Sequence, residues 1–147
     1  MKQLIIICLV ILFATLTKAQ NAQYHLIIKS IKVDGKPQYQ ERIKKEMFSI
    51  MITTGEKGAA MNQFIGEKMV ETGRLKLINI VEHKETKEKF AGYTIDYIWY
   101  PQGESTPTSC KIILRIVIAN DGDHFKLDLT SGEDPIIQYE GDIKEIS

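Results

Sequence analysis

The sequence predicts an all-β domain, an up-and-down antiparallel meander with one short helix after its first strand. Two observations carry that reading. From about Leu75 onward, apolar residues recur at every second position between segments of turn chemistry, the period of a strand with one buried face. Folding the chain about those turns brings apolar residues opposite apolar residues, so the turns and the faces agree.

The second half of the chain specifies its own register. Asp121-Gly122 suits the positive-φ centre of a two-residue hairpin, and folding about it sets Ile118 opposite Phe125, Ile116 opposite Leu127 and Leu114 opposite Leu129. Residues 101–108 hold two prolines, a glycine and three Ser/Thr residues, which makes them a loop. With Trp99 facing Cys110 across it, Tyr97 meets Ile112, Ile95 meets Leu114 and Tyr93 meets Ile116. The other face carries Asp96, Lys111, Arg115, Lys126 and Asp128, with Asp96 and Arg115 placed to pair diagonally. A one-residue slip would bury Arg115 and Asp96. Upstream, residues 75–83 form a strand joined to residues 90–100 by the charged turn 84–89. Downstream, residues 131–135 turn into a last strand, 136–143, while residues 24–33 form a further strand stopped by Asp34-Gly35-Lys36-Pro37.

Residues 38–73 read in two ways. As helix, Tyr39, Ile43, Met47, Ile50 and Met51 fall on one stripe between Pro37 and Gly55, and residues 57–72 supply a second helix ended by Gly73. As strand, residues 47–54 and 59–65 flank the turn Gly55-Glu56-Lys57-Gly58, and Gly66-Glu67-Lys68 turns into residues 69–77. Gly58 and Gly66 would each cost a helix interior about 1 kcal/mol relative to Ala. Strands are therefore favoured over residues 47–77, with the helix confined to residues 38–46.

Residues 1–19 read as a secretory leader. Lys2 supplies the positive start, residues 4–16 the apolar run, and Thr17-Lys18-Ala19 the small residues of a cleavage site before Gln20. That run is short for a membrane span, which needs about 20 apolar residues. The expectation is a secreted or periplasmic product, residues 20–147, forming one domain with no integral membrane segment left after cleavage. Lys2 and Lys18 leave with the leader, so the formal charge of zero becomes −2. That balance provides no basic face for nucleic acid. Cys8 also leaves, so Cys110 remains without an intramolecular disulfide partner and a packed core must hold the domain.

The order of elements resembles secreted lipocalin-like proteins of the calycin type. The resemblance rests on residues 30–36 (Ser-Ile-Lys-Val-Asp-Gly-Lys) ending a first strand, the short polar helical segment, the turn at residues 55–58, and residues 71–77 (Glu-Thr-Gly-Arg-Leu-Lys-Leu) opening a middle strand. The family's usual Gly-x-Trp is replaced by Tyr24 and Leu26. What the resemblance implies is a closed β-barrel whose interior either packs shut or holds one small apolar ligand. The helical reading of residues 38–73 implies instead an α+β fold of the cystatin or NTF2 kind, a helix across a curved antiparallel sheet, with Asp96 or a histidine as candidate base.

The candidate ligand-binding residues are Tyr93, Tyr97, Trp99, Ile112, Leu114, Ile116, Phe125 and Leu127, which share the apolar face. Their hydroxyls and indole N–H would supply the polar contacts of an otherwise apolar pocket, and core filling is the competing role. His25, His83 and His124 lack metal-ligand spacing, Cys110 lacks an adjacent base, and Asn120, Asp121 and Asp123 lack the downstream glutamate of a calcium loop. Neither catalytic residue, metal nor cofactor is assigned. The expected function is non-enzymatic binding of a small apolar or amphipathic ligand by a monomer. The alternative is an envelope interaction or inhibitor module using Ile98, Ile113 and Val117 on the outer face, although the Gln-x-Val-x-Gly segment of cystatin inhibitors is absent.

Overall fold

The computed structural model describes residues 22–55, 58–87, 89–102, 109–132 and 136–146. The expected leader, the centres of the turns at 55–58 and 131–135, and most of the loop at 101–108 lie outside them. The strands are β1 (Ala22–Val33), β2 (Lys36–Gln38), β3 (Phe48–Gly55), β4 (Gly58–Ile65), β5 (Lys68–His83), β6 (Gly92–Pro101), β7 (Cys110–Ala119), β8 (Gly122–Thr130) and β9 (Ile137–Ile146), with the helix α1 (Gln40–Lys45) between β2 and β3. From β3 to β9 each strand pairs antiparallel with the next, and β1 pairs with both β3 and β9. Eight strands thus close into a barrel, and β2 is a spur on β1.

Residues 48–55, 58–65 and 68–77 are strand, which overturns the α+β alternative. Gly55 pairs with Gly58 at one hairpin end, and Gly66, at φ 60°, turns the chain into β5. Met61, central in β4, is fully buried opposite Ile52, a position that only strand alternation gives it. The helix is shorter than residues 38–46. Pro37 does not open it but lies in β2, and Tyr39 in the left-handed region (φ 56°) reverses the chain before Gln40. The last strand runs on to Ile146, and β6 starts at Gly92 rather than Phe90.

Register across β6 and β7 is as expected, from Trp99 opposite Cys110 to Tyr93 opposite Ile116. The β7–β8 hairpin needs correcting by two residues: Ile116 faces Phe125, Leu114 faces Leu127 and Ile112 faces Leu129. The loop residues are Asn120 and Asp121, and the positive φ falls on Gly122, at 125°, after the turn rather than at its centre. A shift of two preserves the side-chain face, so hydrophobic alternation alone does not distinguish the two pairings.

Bulges bend the sheet toward closure. In β1 the register with β9 shifts between Ile28 and Ser30, and the buried series Tyr24, Leu26, Ile28 continues at Ile31, one residue out of phase. A similar shift between Leu77 and Asn79 in β5 moves the inward position from Leu77 to Ile80, opposite Ile95. Each extra residue sharpens local twist and curvature, which eight strands need to meet edge to edge. Inside lies one apolar cluster drawn from β1 and β3 to β8, with Ile137, Tyr139 and Ile143 of β9 and Ile43 of α1 packed against it.

On the outside, Arg115 donates from Nη1 to Asp128 Oδ2 at 2.7 Å, and Gln138 donates to the other Asp128 oxygen at 3.1 Å. The expected Asp96–Arg115 pairing is thus replaced by one across the β7–β8 hairpin. Among the described residues no helix is long and apolar enough to cross a membrane.

Candidate ligand-binding site

One end of the barrel gathers α1, the β4–β5 turn and the starts of β7 and β9. There a pocket of about 200 Å³ opens under the helix. Its floor comes from inward positions of the strands: Ile28 and Ile31 of β1, Phe48 of β3, Gln63 and Ile65 of β4, and Tyr139 of β9. Its rim comes from Tyr39 and Arg42 of the helix segment with Phe64 and Val70. The left-handed Tyr39 is what swings the chain over this mouth.

The polar groups are few and placed. Arg42 Nε donates to Glu46 Oε2 at 2.8 Å, and its guanidinium stands 5.7 Å from the centre of the Phe48 ring, so the cation is held at the rim. Tyr139 lies deeper. Burial pushes its hydroxyl up to about 12, against which a hydrogen bond with Gln63 acts, while the nearby Tyr39 and Cys110 add to the rise. The phenol therefore stays neutral at any physiological pH. A cavity of ~150 Å³ lined by apolar side chains takes a molecule the size of benzene. This one suits a single ring or a short chain.

All eight sequence-predicted residues come together. Tyr93, Tyr97, Trp99, Ile112, Leu114, Ile116, Phe125 and Leu127 are buried in the one core cluster, yet none of them lines the pocket at the mouth. The residues that do line it belong to β1, the helix segment, β3, β4, β5 and β9, outside the stretch from β6 to β8 in which alternation alone marks the interior. One signal was available: Gln63 is a polar side chain at an inward position between Met61 and Ile65.

Two polar atoms of the predicted set stand out. Tyr97 Oη and Trp99 Nε1 are buried with no hydrogen-bond partner among the described residues. Burial alone drives the Tyr97 hydroxyl upward, well above the usual phenol range.

Cys110 is buried opposite Trp99, a small hydrophobe in the core. His83 bonds Thr94 Oγ1 through Nε2 at 2.8 Å. His124 is more constrained than a solvated strand-end histidine: Nδ1 lies 2.9 Å from Asp142 Oδ1 and Nε2 3.1 Å from Asp121 Oδ1. Among the described residues no group of three or more His, Cys, Asp or Glu side chains is arranged to hold a metal ion. On the outer face Ile98 and Ile113 are half-buried and Val117 is exposed.

No protein-family model, no curated protein and no solved structure matches this chain.

Proposed function

We propose that the chain is an exported, lipocalin-like, non-enzymatic binding protein that takes one small apolar or amphipathic molecule into the mouth of its barrel. The observation that carries this reading is the pocket under α1, apolar along Ile28, Ile31, Phe48, Ile65 and Val70, with Ser49, Gln63 and Tyr139 as its inner polar groups. An apolar concavity with a few convergent polar side chains is the usual form of a small-molecule site. Its volume suits an occupant of about eight non-hydrogen atoms, by comparison with benzene in a ~150 Å³ cavity. The reading of residues 1–19 as a leader supports export.

The test is uptake of two volatile probes of that size, 2-heptanone and 2-methylheptane, measured as depletion of the headspace above the purified protein. Val70→Trp, which fills the rim, is expected to abolish uptake of both while leaving the thermal transition in place. Absence of uptake by the unaltered protein, or uptake that Val70→Trp leaves unchanged, overturns the reading.

A further inference from the structure

We propose that Arg42 makes the pocket under α1 a site for a short monocarboxylate, its carboxylate held at the rim by the guanidinium and its apolar tail pointing inward along Ile28, Ile31 and Phe48. The inference rests on the binding function proposed above and names the chemistry and orientation of its ligand.

Among the described residues that line the pocket, Arg42 is the one charged side chain. Its guanidinium is positioned from two sides: it stands 5.7 Å from the centre of the Phe48 ring, and Nε donates to Glu46 Oε2 at 2.8 Å. The bond to Glu46 uses Nε alone, whereas a guanidinium carries five N–H donors in a planar fork, so a second carboxylate can be held without releasing the first. Glu46 does not cancel the charge of the segment over the mouth. Residues 39–46 carry three cations, Arg42, Lys44 and Lys45, against the two carboxylates Glu41 and Glu46.

The orientation follows from the wall. The inner polar groups Ser49, Gln63 and Tyr139 are neutral, and Tyr139 is hydrogen-bonded with Gln63. An ionised carboxylate placed among them would lose its hydration with no counter-charge beside it, which is costly. At the rim that cost is avoided, because the Arg42 side chain is 54 % exposed and leaves water around the head group. The tail then lies against the apolar inner wall. An amphipathic cation of the same length meets Arg42 at the rim and no carboxylate among the described lining residues, so the site discriminates by sign of charge as well as by size.

Three probes of similar size separate the possibilities at pH 7: hexanoate, hexylammonium and the neutral 2-heptanone. Binding of each ion is read as release of 2-heptanone into the headspace, which reports on the same pocket, and directly by calorimetry. Hexanoate is expected to bind about fivefold more tightly than 2-heptanone, a gain kept modest by the exposure of Arg42, and hexylammonium about tenfold more weakly than hexanoate. Raising the ionic strength is expected to narrow the hexanoate advantage. Arg42→Met keeps an apolar side chain against Phe48 without the charge, and is expected to erase that advantage while 2-heptanone uptake and the thermal transition stay in place. The inference is overturned if hexanoate binds no better than 2-heptanone, if hexylammonium binds as well as hexanoate, if the hexanoate advantage is indifferent to salt, or if Arg42→Met changes hexanoate and 2-heptanone in parallel. Failure of the unaltered protein to take up either volatile probe removes the binding function itself, an outcome distinct from uptake without preference for the acid.

Discussion

Gly141 of β9 packs directly on the backbone of Ile27 in β1. A Cβ at Gly141 would overlap the Ile27 carbonyl oxygen and come within 3.0 Å of both the Ile27 carbonyl carbon and the Lys29 amide nitrogen. This is the seam at which the barrel closes, beside the bulge that shifts register between Ile28 and Ser30. Backbone, unlike a flexible side-chain end, cannot swing away. Gly141→Ala is therefore expected to destabilise the domain by about 1–3 kcal/mol, the range for overpacking, as a lower midpoint in urea unfolding. Gly66→Ala is the control, because open space surrounds that position and only its φ of 60° is strained. A Gly141→Ala protein as stable as the parent would mean that the seam is looser than this contact requires.

Leu127 sits at the centre of the core, fully buried and opposite both Leu114 and Tyr139. Truncation to Ala removes its packing and leaves a cavity, with an expected loss of about 2–5 kcal/mol in equilibrium unfolding. Val117→Ala, at an exposed outer position on the same sheet, is expected to stay within about 0.5 kcal/mol.

The contrast between Leu127 and Val117 also shows how much of the fold is legible in the sequence. Strand alternation from β6 to β8 assigns the inside face correctly, because one-residue slips would bury Arg115 and Asp96. The same periodicity cannot see a slip of two, so it leaves Ile116 opposite Leu127 as acceptable as the observed pairing of Ile116 with Phe125. Bulges break the pattern more seriously: after Lys29 the buried position moves to Ile31, and after Leu77 it moves to Ile80. Such inserted residues are invisible until the partner strand is known. The eight interior residues were legible for the same reason as the strands. The mouth pocket was not, since it depends on Tyr39 adopting a left-handed backbone and on β1 meeting β9 across more than a hundred residues of chain.

Arg115 and Asp128 form the shortest ion pair among the described residues, with side chains 43 % and 16 % exposed. Partial exposure limits its value, because water competes for both charges. A double-mutant cycle with Arg115→Ala and Asp128→Ala is expected to give a coupling of about 0.5–1 kcal/mol that shrinks in high salt. Asp128→Ala alone should cost more than Arg115→Ala alone, because Asp128 also accepts from Gln138. Equal single costs would show that the Gln138 bond contributes nothing measurable.

His124 links the β7–β8 turn to β9, and its environment fixes the sign of a pH effect. The hydrogen bond with Asp121 raises its pKa above the usual 6.5, and that with Asp142 adds to the rise; Lys29, 4.0 Å from Asp142, is the other charge nearby. A histidine whose folded pKa exceeds its unfolded value favours the fold while protonated. This contribution is fully present below about pH 6.5 and disappears as the pH rises through the folded value. His25 acts in the opposite sense, since desolvation and then Lys144 lower its pKa, so protonation below about pH 6.5 erodes stability. The melting temperature is therefore expected to fall from pH 6.5 to pH 8.5, modestly because His124 is largely solvated, and His124→Gln should flatten that slope while leaving the acid side governed by His25. Histidine proton shifts followed by NMR across the same range provide the direct check. A His124 midpoint below 6.5, or an alkaline slope unchanged in His124→Gln, would rule out the Asp121–His124–Asp142 contacts as its source.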